Sequence, residues 1–126
     1  MEKLYQALLL DHYRSPRNAA VLQEYACSAQ QFNPLCGDSV AVQVQIKDDL
    51  VTAIGFQAVG CVISIASASL LSELILNKSL DTICALGENE VRTLIGVALG
   101  PTRLKCALIA LHAVQHAICS YRTSGA

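Results

Sequence analysis

Charge is scarce in this chain of 126 residues: Asp, Glu, Lys and Arg make up 15%, the nine basic residues are scattered, and the formal net charge is −1. Without a basic stripe there is no electrostatic footprint for nucleic acid or for an anionic membrane surface, and neither partner is expected. Long apolar runs are missing too. Hydrophobic residues reach 53%, yet no window approaches the roughly 20 apolar residues that a bilayer crossing needs. The richest stretch, Cys106 to Ile118, is interrupted by His112, Gln115 and His116. At the N-terminus Ala7 to Leu10 runs straight into Asp11-His12, too short an apolar segment for a signal peptide. Neither a membrane span nor an export signal is expected, and the expected location is cytoplasmic. Repeats, linkers and low-complexity segments are absent as well, so residues 1–126 read as one domain.

Six cysteines are present. In a chain without an export signal they point to reduced thiols, and so to metal or sulfur chemistry ahead of a disulfide framework.

Leu4, Leu8 and Leu9 recur at helical spacing over 2–13, and the run stops at Ser15-Pro16-Arg17-Asn18. From Val40 the pattern alternates, with Val40, Val42, Val44 and Ile46 on one face. Lys47-Asp48-Asp49 turns the chain, and Val51 to Phe56 return, giving a hairpin over 39–58. A third strand is expected around Glu24 to Ser28. Helical spacing resumes from Ile65 to Leu76, two short helices suit 79–86 and 88–98, and Gly100-Pro101 interrupts. Thr102 can cap a last helix over about 103–121, with Leu104, Leu108, Leu111, Val114 and Ile118 on one face. The expected fold class is α+β, a small three-stranded antiparallel sheet packed with about five helices, the C-terminal one long.

Chemistry concentrates at three places. Asn33-Pro34-Leu35-Cys36-Gly37-Asp38 puts a thiol and a carboxylate two residues apart in a turn before a strand, where both can approach one ion. The plainer alternative is a surface turn in which Asp38 bonds its own backbone. Cys61 sits where a strand gives way to a helix, beside unpaired N–H groups that favour a thiolate; a packing cysteine is the alternative. Cys106 is expected in the first turn of the last helix with Arg103 and Lys105 at hand, off the leucine stripe and on the side of Ala110, Ala113 and Ala117.

Spacing by itself is a weak signal. Cys36 and Cys61 are 25 positions apart, Cys61 and Cys106 are 45, and no two cysteines show the two- or three-residue spacing of a zinc knuckle. Three thiols and one carboxylate at turns and helix starts can nevertheless converge as a four-ligand set, suited to Zn2+ or to a weakly held cluster. Cys27, Cys84 and Cys119 are assigned to packing. His112 and His116 stand four apart, but no third ligand is evident and a solvated face is the better reading. His12 is expected to stabilise the C-terminal end of the first helix.

Taken together, Leu4-Tyr5 through Tyr13, Ser15-Pro16-Arg17-Asn18, Asn33 to Asp38, Phe56 with Gly60 to Ser64, Ala66 to Ser69, and Arg103 to Cys106 resemble the U-type iron–sulfur scaffold proteins, the IscU, SufU and NifU-like family. The resemblance implies an assembly scaffold rather than an enzyme. Such a scaffold takes persulfide sulfur from a cysteine desulfurase, combines it with iron, and hands a labile [2Fe–2S] cluster to acceptor or carrier proteins. It implies Cys36, Asp38, Cys61 and Cys106 as ligands, with Cys106 or Cys36 as first persulfide acceptor, and it is compatible with a homodimer sharing one cluster. Two positions depart from the pattern. Lys105 replaces the histidine that precedes the third cysteine in the IscU branch. That matches the SufU branch, in which a zinc-dependent sulfurtransferase role is the alternative, but the SufU insertion has no room here. Leu99-Gly100-Pro101-Thr102-Arg103 keeps only part of a loop read by a dedicated chaperone, so chaperone recognition is not predicted.

Overall fold

The computed structural model describes residues 2–34 and 37–124. In chain order it forms helix α1 (Glu2–Arg14), strands β1 (Cys27–Asn33), β2 (Asp38–Lys47) and β3 (Leu50–Val59), and helices α2 (Val62–Ile75), α3 (Leu80–Cys84), α4 (Glu88–Ile95) and α5 (Pro101–Thr123). The three strands pair antiparallel in the order β1-β2-β3, so the α+β expectation holds. The first strand lies three residues later than the sequence suggested, because Cys27 pairs with Val44 and the register runs on to Asn33 opposite Asp38.

Two aspartates make the hairpin turn. Asp48 and Asp49 take φ of 54° and 59°, the paired positive values of a two-residue turn whose twist matches its strands, in a conformation that short Asp side chains tolerate. Beyond the turn the alternation changes phase. Gln45 pairs with Ala53 but Ile46 pairs with Val51, so Thr52 is an extra residue in β3. This bulge is why Val51, Ile54 and Phe56 share the buried face with Val40, Val42 and Val44.

Helices α2 and α5 lie on that face. α2 touches α1, α4, α5 and the sheet, and ten of its residues are buried, many of them Ser and Ala that allow close approach. α5 buries not only Leu104, Leu111, Val114 and Ile118 but also Cys106, Ile109, Ala110, Ala113 and Ala117. The leucine stripe was therefore half of its contact surface. The alanine side meets a second set of neighbours, which places Cys106 in the core.

Helix ends explain the remaining differences. α3 is shorter than 79–86, opened by Ser79, whose hydroxyl accepts from Thr82 N at 3.1 Å. α4 stops at Ile95 rather than 98 because Gly96 takes φ 74°, and the ring of Tyr5 fills the space a side chain there would need. α5 begins with Pro101 after Gly100, two residues before the expected start, so Thr102 is not its cap.

A polar seam joins α1 to α2. His12 is buried, its Nδ1 2.7 Å from Ser69 Oγ and its Nε2 3.6 Å from Glu73 Oε1. Arg17 N donates to Ser69 Oγ at 2.8 Å and Asn18 Nδ2 to Ser72 Oγ at 2.9 Å. His12 thus stitches two helices together instead of serving the end of its own. No helix among the described residues is long and apolar enough to cross a membrane.

Candidate metal and sulfur site

The antiparallel register brings Asn33 opposite Asp38 at one end of the sheet, and β3 ends beside them at Val59. Gly60 then takes φ 153°, and its bare Cα lies against Asp38: a Cβ built there would stand 2.5 Å from both Cγ and Oδ1. A glycine is therefore required for β3 to leave the sheet and pass the carboxylate into α2. Cys61 follows as the N-cap of α2, in extended backbone.

These turns bring together Asp38, Cys61 and Cys106, whose ligand atoms all lie within 4.8 Å of one another. Asp38 and Cys106 are 3% and 4% exposed, while Cys61 is exposed. Cys61 Sγ donates to Asp38 Oδ2 at 3.5 Å, and Ser64 Oγ donates to the same oxygen at 2.5 Å. Cys61 Sγ and Ser64 Oγ are 3.5 Å apart. On the far side Asn33 Nδ2 donates to Cys106 Sγ at 3.8 Å.

Burial pushes the Asp38 carboxyl up. Hydrogen bonds from Ser64, from the thiols of Cys106 and Cys61 and from the Cys61 backbone N–H outweigh it and hold the group below the usual carboxylate value. A carboxylate kept ionised between two thiols is a fitting donor set for a thiophilic divalent cation. About 2.3 Å from zinc to sulfur and about 2.0 Å to oxygen puts ligand atoms roughly 3.5–3.8 Å apart, closer than the present limit of 4.8 Å.

Of the four sequence candidates, Asp38, Cys61 and Cys106 meet here, and Cys36 lies outside the described residues. The reason for one of them changes. Cys61 does stand at a helix start. Cys106, in a helix beginning at Pro101, lies beyond the unpaired N–H groups of the first turn, and Asn33 and Asp38 supply its surroundings instead. Lys105 and His112 are exposed and border a cleft of about 310 Å³ with Phe32 and Leu108.

Ser64 and Asn33 carried no role in the sequence reading. The available signal for Ser64 was its place three residues after a thiol at a helix start. The other cysteines divide. Cys27 is buried and its thiol is pushed up to about 11 by burial, as a packing residue should be, whereas Cys84 and Cys119 are exposed and are not core. His112 and His116 are exposed too, and among the described residues Asp38, Cys61 and Cys106 form the one cluster of three metal-binding side chains.

Comparison with known proteins places this geometry in context. The family described as NifU-like N terminal domain matches residues 4–126. The chain is 28% identical over 135 residues to the zinc-dependent sulfurtransferase SufU of Bacillus subtilis, covering 94% of this chain and 91% of that protein. It is 32% identical over 122 residues to the iron-sulfur cluster assembly scaffold protein IscU of Rickettsia prowazekii, covering 94% and 92%. It is 30% identical over 127 residues to iron sulfur cluster assembly protein 2, mitochondrial, of Saccharomyces cerevisiae, covering 97% and 80%. The crystal structure of a nitrogen-fixing NifU-like protein (N-terminal) from Brucella abortus superposes with a TM-score of 0.79 at 19% identity, covering 97% of this chain and 96% of that one, a likeness of fold alone.

Proposed function

Since the chain belongs to the family of NifU-like N-terminal domains, we propose that it is an iron–sulfur cluster assembly scaffold. It receives sulfane sulfur from a cysteine desulfurase, joins it to iron, and passes a [2Fe–2S] cluster to acceptor proteins. The observation that carries this reading is the convergence of Asp38, Cys61 and Cys106 from β2, the start of α2 and α5. Cys36 joins them as the fourth ligand.

Sulfur arrives when a receiving thiolate, of Cys106 or Cys36, attacks the outer sulfur of the donor persulfide. A new S–S bond forms, the donor S–S bond breaks, and the donor leaves as a thiolate, with no electrons from outside. The receiving thiol first gives up its proton to solvent, because the Asp38 carboxylate, held below the usual carboxylate value by the bonds it accepts from Ser64, Cys106 and Cys61, is too weak a base to keep it. Each sulfane sulfur takes two electrons to enter a cluster as sulfide, so an assay needs a reductant. Exposed Cys61 is the side from which iron and acceptors reach the buried pair.

A second reading, a zinc-held sulfur carrier, is favoured by Lys105. A protonated amine where the IscU branch has histidine cannot ligate, which leaves Asp38 with three thiols, a set that fits Zn2+. Zinc bound there would hold the thiolates deprotonated until one is exchanged for sulfur.

Anaerobic incubation with a cysteine desulfurase, cysteine, ferrous iron and dithiothreitol separates the two. The scaffold reading expects visible charge-transfer bands with iron and labile sulfide in equal amounts. No bands, with desulfurase turnover raised by zinc-loaded protein, would establish the carrier instead. Asp38→Ala is expected to weaken zinc binding by about tenfold or more and to slow cluster decay. Unchanged zinc affinity and unchanged decay would remove Asp38 from the site.

A further inference from the structure

Ser64 is the third residue of α2 and is 1% exposed. A buried hydroxyl needs a partner, and this one is spent on a single target. It donates to Asp38 Oδ2 at 2.5 Å, the oxygen that also receives the Cys61 thiol, and stands 3.5 Å from Cys61 Sγ. The other oxygen, Oδ1, lies in the space that a side chain on Gly60 would occupy, 2.5 Å from where its Cβ would stand. Several groups donate to this carboxylate, the two thiols and the Cys61 backbone N–H included; the Ser64 bond is shorter than that of the Cys61 thiol, and Ser64 is no metal ligand itself.

We propose that Ser64 is a positioning residue of the metal site. Its hydroxyl holds the Asp38 carboxylate in the orientation from which one oxygen can join the Cys61 and Cys106 sulfurs around a metal ion. The inference rests on the reading of Asp38, Cys61 and Cys106 as a metal centre, and concerns which residue makes that centre preformed.

The chemical reason is general. A carboxylate ligand free to rotate loses orientational freedom on binding, and outer partners that fix ligands are typically worth 10–100-fold in metal affinity. Two other arrangements would not need Ser64. If Gly60 alone fixed the carboxylate, removing the hydroxyl would leave binding unchanged. If Ser64 served only to fill space at the start of α2, any side chain of its size would do.

Zinc affinity measured by competition with a chromophoric chelator, together with the electronic spectrum of the cobalt-substituted protein, tests this. Ser64→Ala is expected to lower zinc affinity about tenfold. Its cobalt form should keep the thiolate-to-cobalt charge-transfer band while the d–d envelope shifts as the carboxylate leaves. In the Asp38→Ala background, Ser64→Ala should add less than a twofold further loss, because a residue that acts through Asp38 has nothing left to orient. A matched pair, Ser64→Thr and Ser64→Val, differs essentially in the hydroxyl alone and repeats the comparison should Ser64→Ala disturb folding; Thr is expected to bind zinc about tenfold tighter than Val.

Equal zinc affinity of wild type and Ser64→Ala, or of the Thr and Val variants, would overturn the proposal. So would a Ser64→Ala penalty that persists undiminished without Asp38. If instead the wild-type protein takes up neither zinc nor cobalt on its thiols, the metal-centre reading itself fails, a distinct result from the loss of Ser64's part in it.

Discussion

Gly60 and Asp38 show how much of a site can depend on one missing methyl group. The glycine φ of 153° and the 2.5 Å approach of a would-be Cβ to the carboxylate mean that alanine must either strain the backbone or displace Asp38. Gly60→Ala is expected to destabilise the fold by about 1–3 kcal/mol and to weaken zinc binding in parallel, read by urea unfolding and chelator competition. An alanine variant with full stability and full affinity would contradict the wedge. At this scale the sequence was legible where identity alone signals chemistry: a carboxylate in a Pro-Leu-Cys-Gly-Asp turn, and a cysteine at a strand-to-helix junction. It was illegible for Ser64 and Asn33, because serine and asparagine are ordinary in turns and helix starts and acquire meaning only from the atoms that folding puts against them.

Elements were legible in type and less so at their ends. The alternation from Val40 to Ile46 and the Lys47-Asp48-Asp49 turn locate the hairpin, but nothing in the alternation announces that Thr52 is an extra residue. The starts of α5 and β1 were displaced for a related reason, since Pro101 and a pairing register decide them rather than periodicity. The seam between α1 and α2 yields a pH prediction. Burial foremost, and then the positive charge of Arg17, hold the His12 imidazole below its ordinary value, with Glu73 and Asp11 opposing. The unfolded chain therefore binds a proton where the folded chain does not. Stability should fall as pH drops from the ordinary histidine range to the depressed folded value, and level off below it. Urea unfolding at about pH 7.5 and about pH 5.5 measures the loss, and His12→Gln should flatten the profile over that interval. A profile that is flat in the wild type would show that His12 is not buried neutral against Ser69.

At the scale of the whole molecule, α2 is the helix on which α1, α4, α5 and the sheet all converge. No period in the sequence conveys that, because hydrophobic spacing tells which face of a helix is covered and not by what. The same convergence makes metal and fold one system. Zinc that binds the assembled site and not the unfolded chain should raise stability by about 2.7 kcal/mol at a free concentration one hundred times its dissociation constant. A chelator should reverse the gain, as thermal unfolding would record, and a melting temperature indifferent to zinc would separate the site from the fold. Asp38 and Cys61 sit in the middle of the chain, but Cys106 belongs to its last helix. Chains acquire structure from the N-terminus during synthesis, and distant segments close last. A growing chain thus offers Cys36, Asp38 and Cys61 well before Cys106 exists. The full set of ligands therefore comes together only once α5 has been made and has docked.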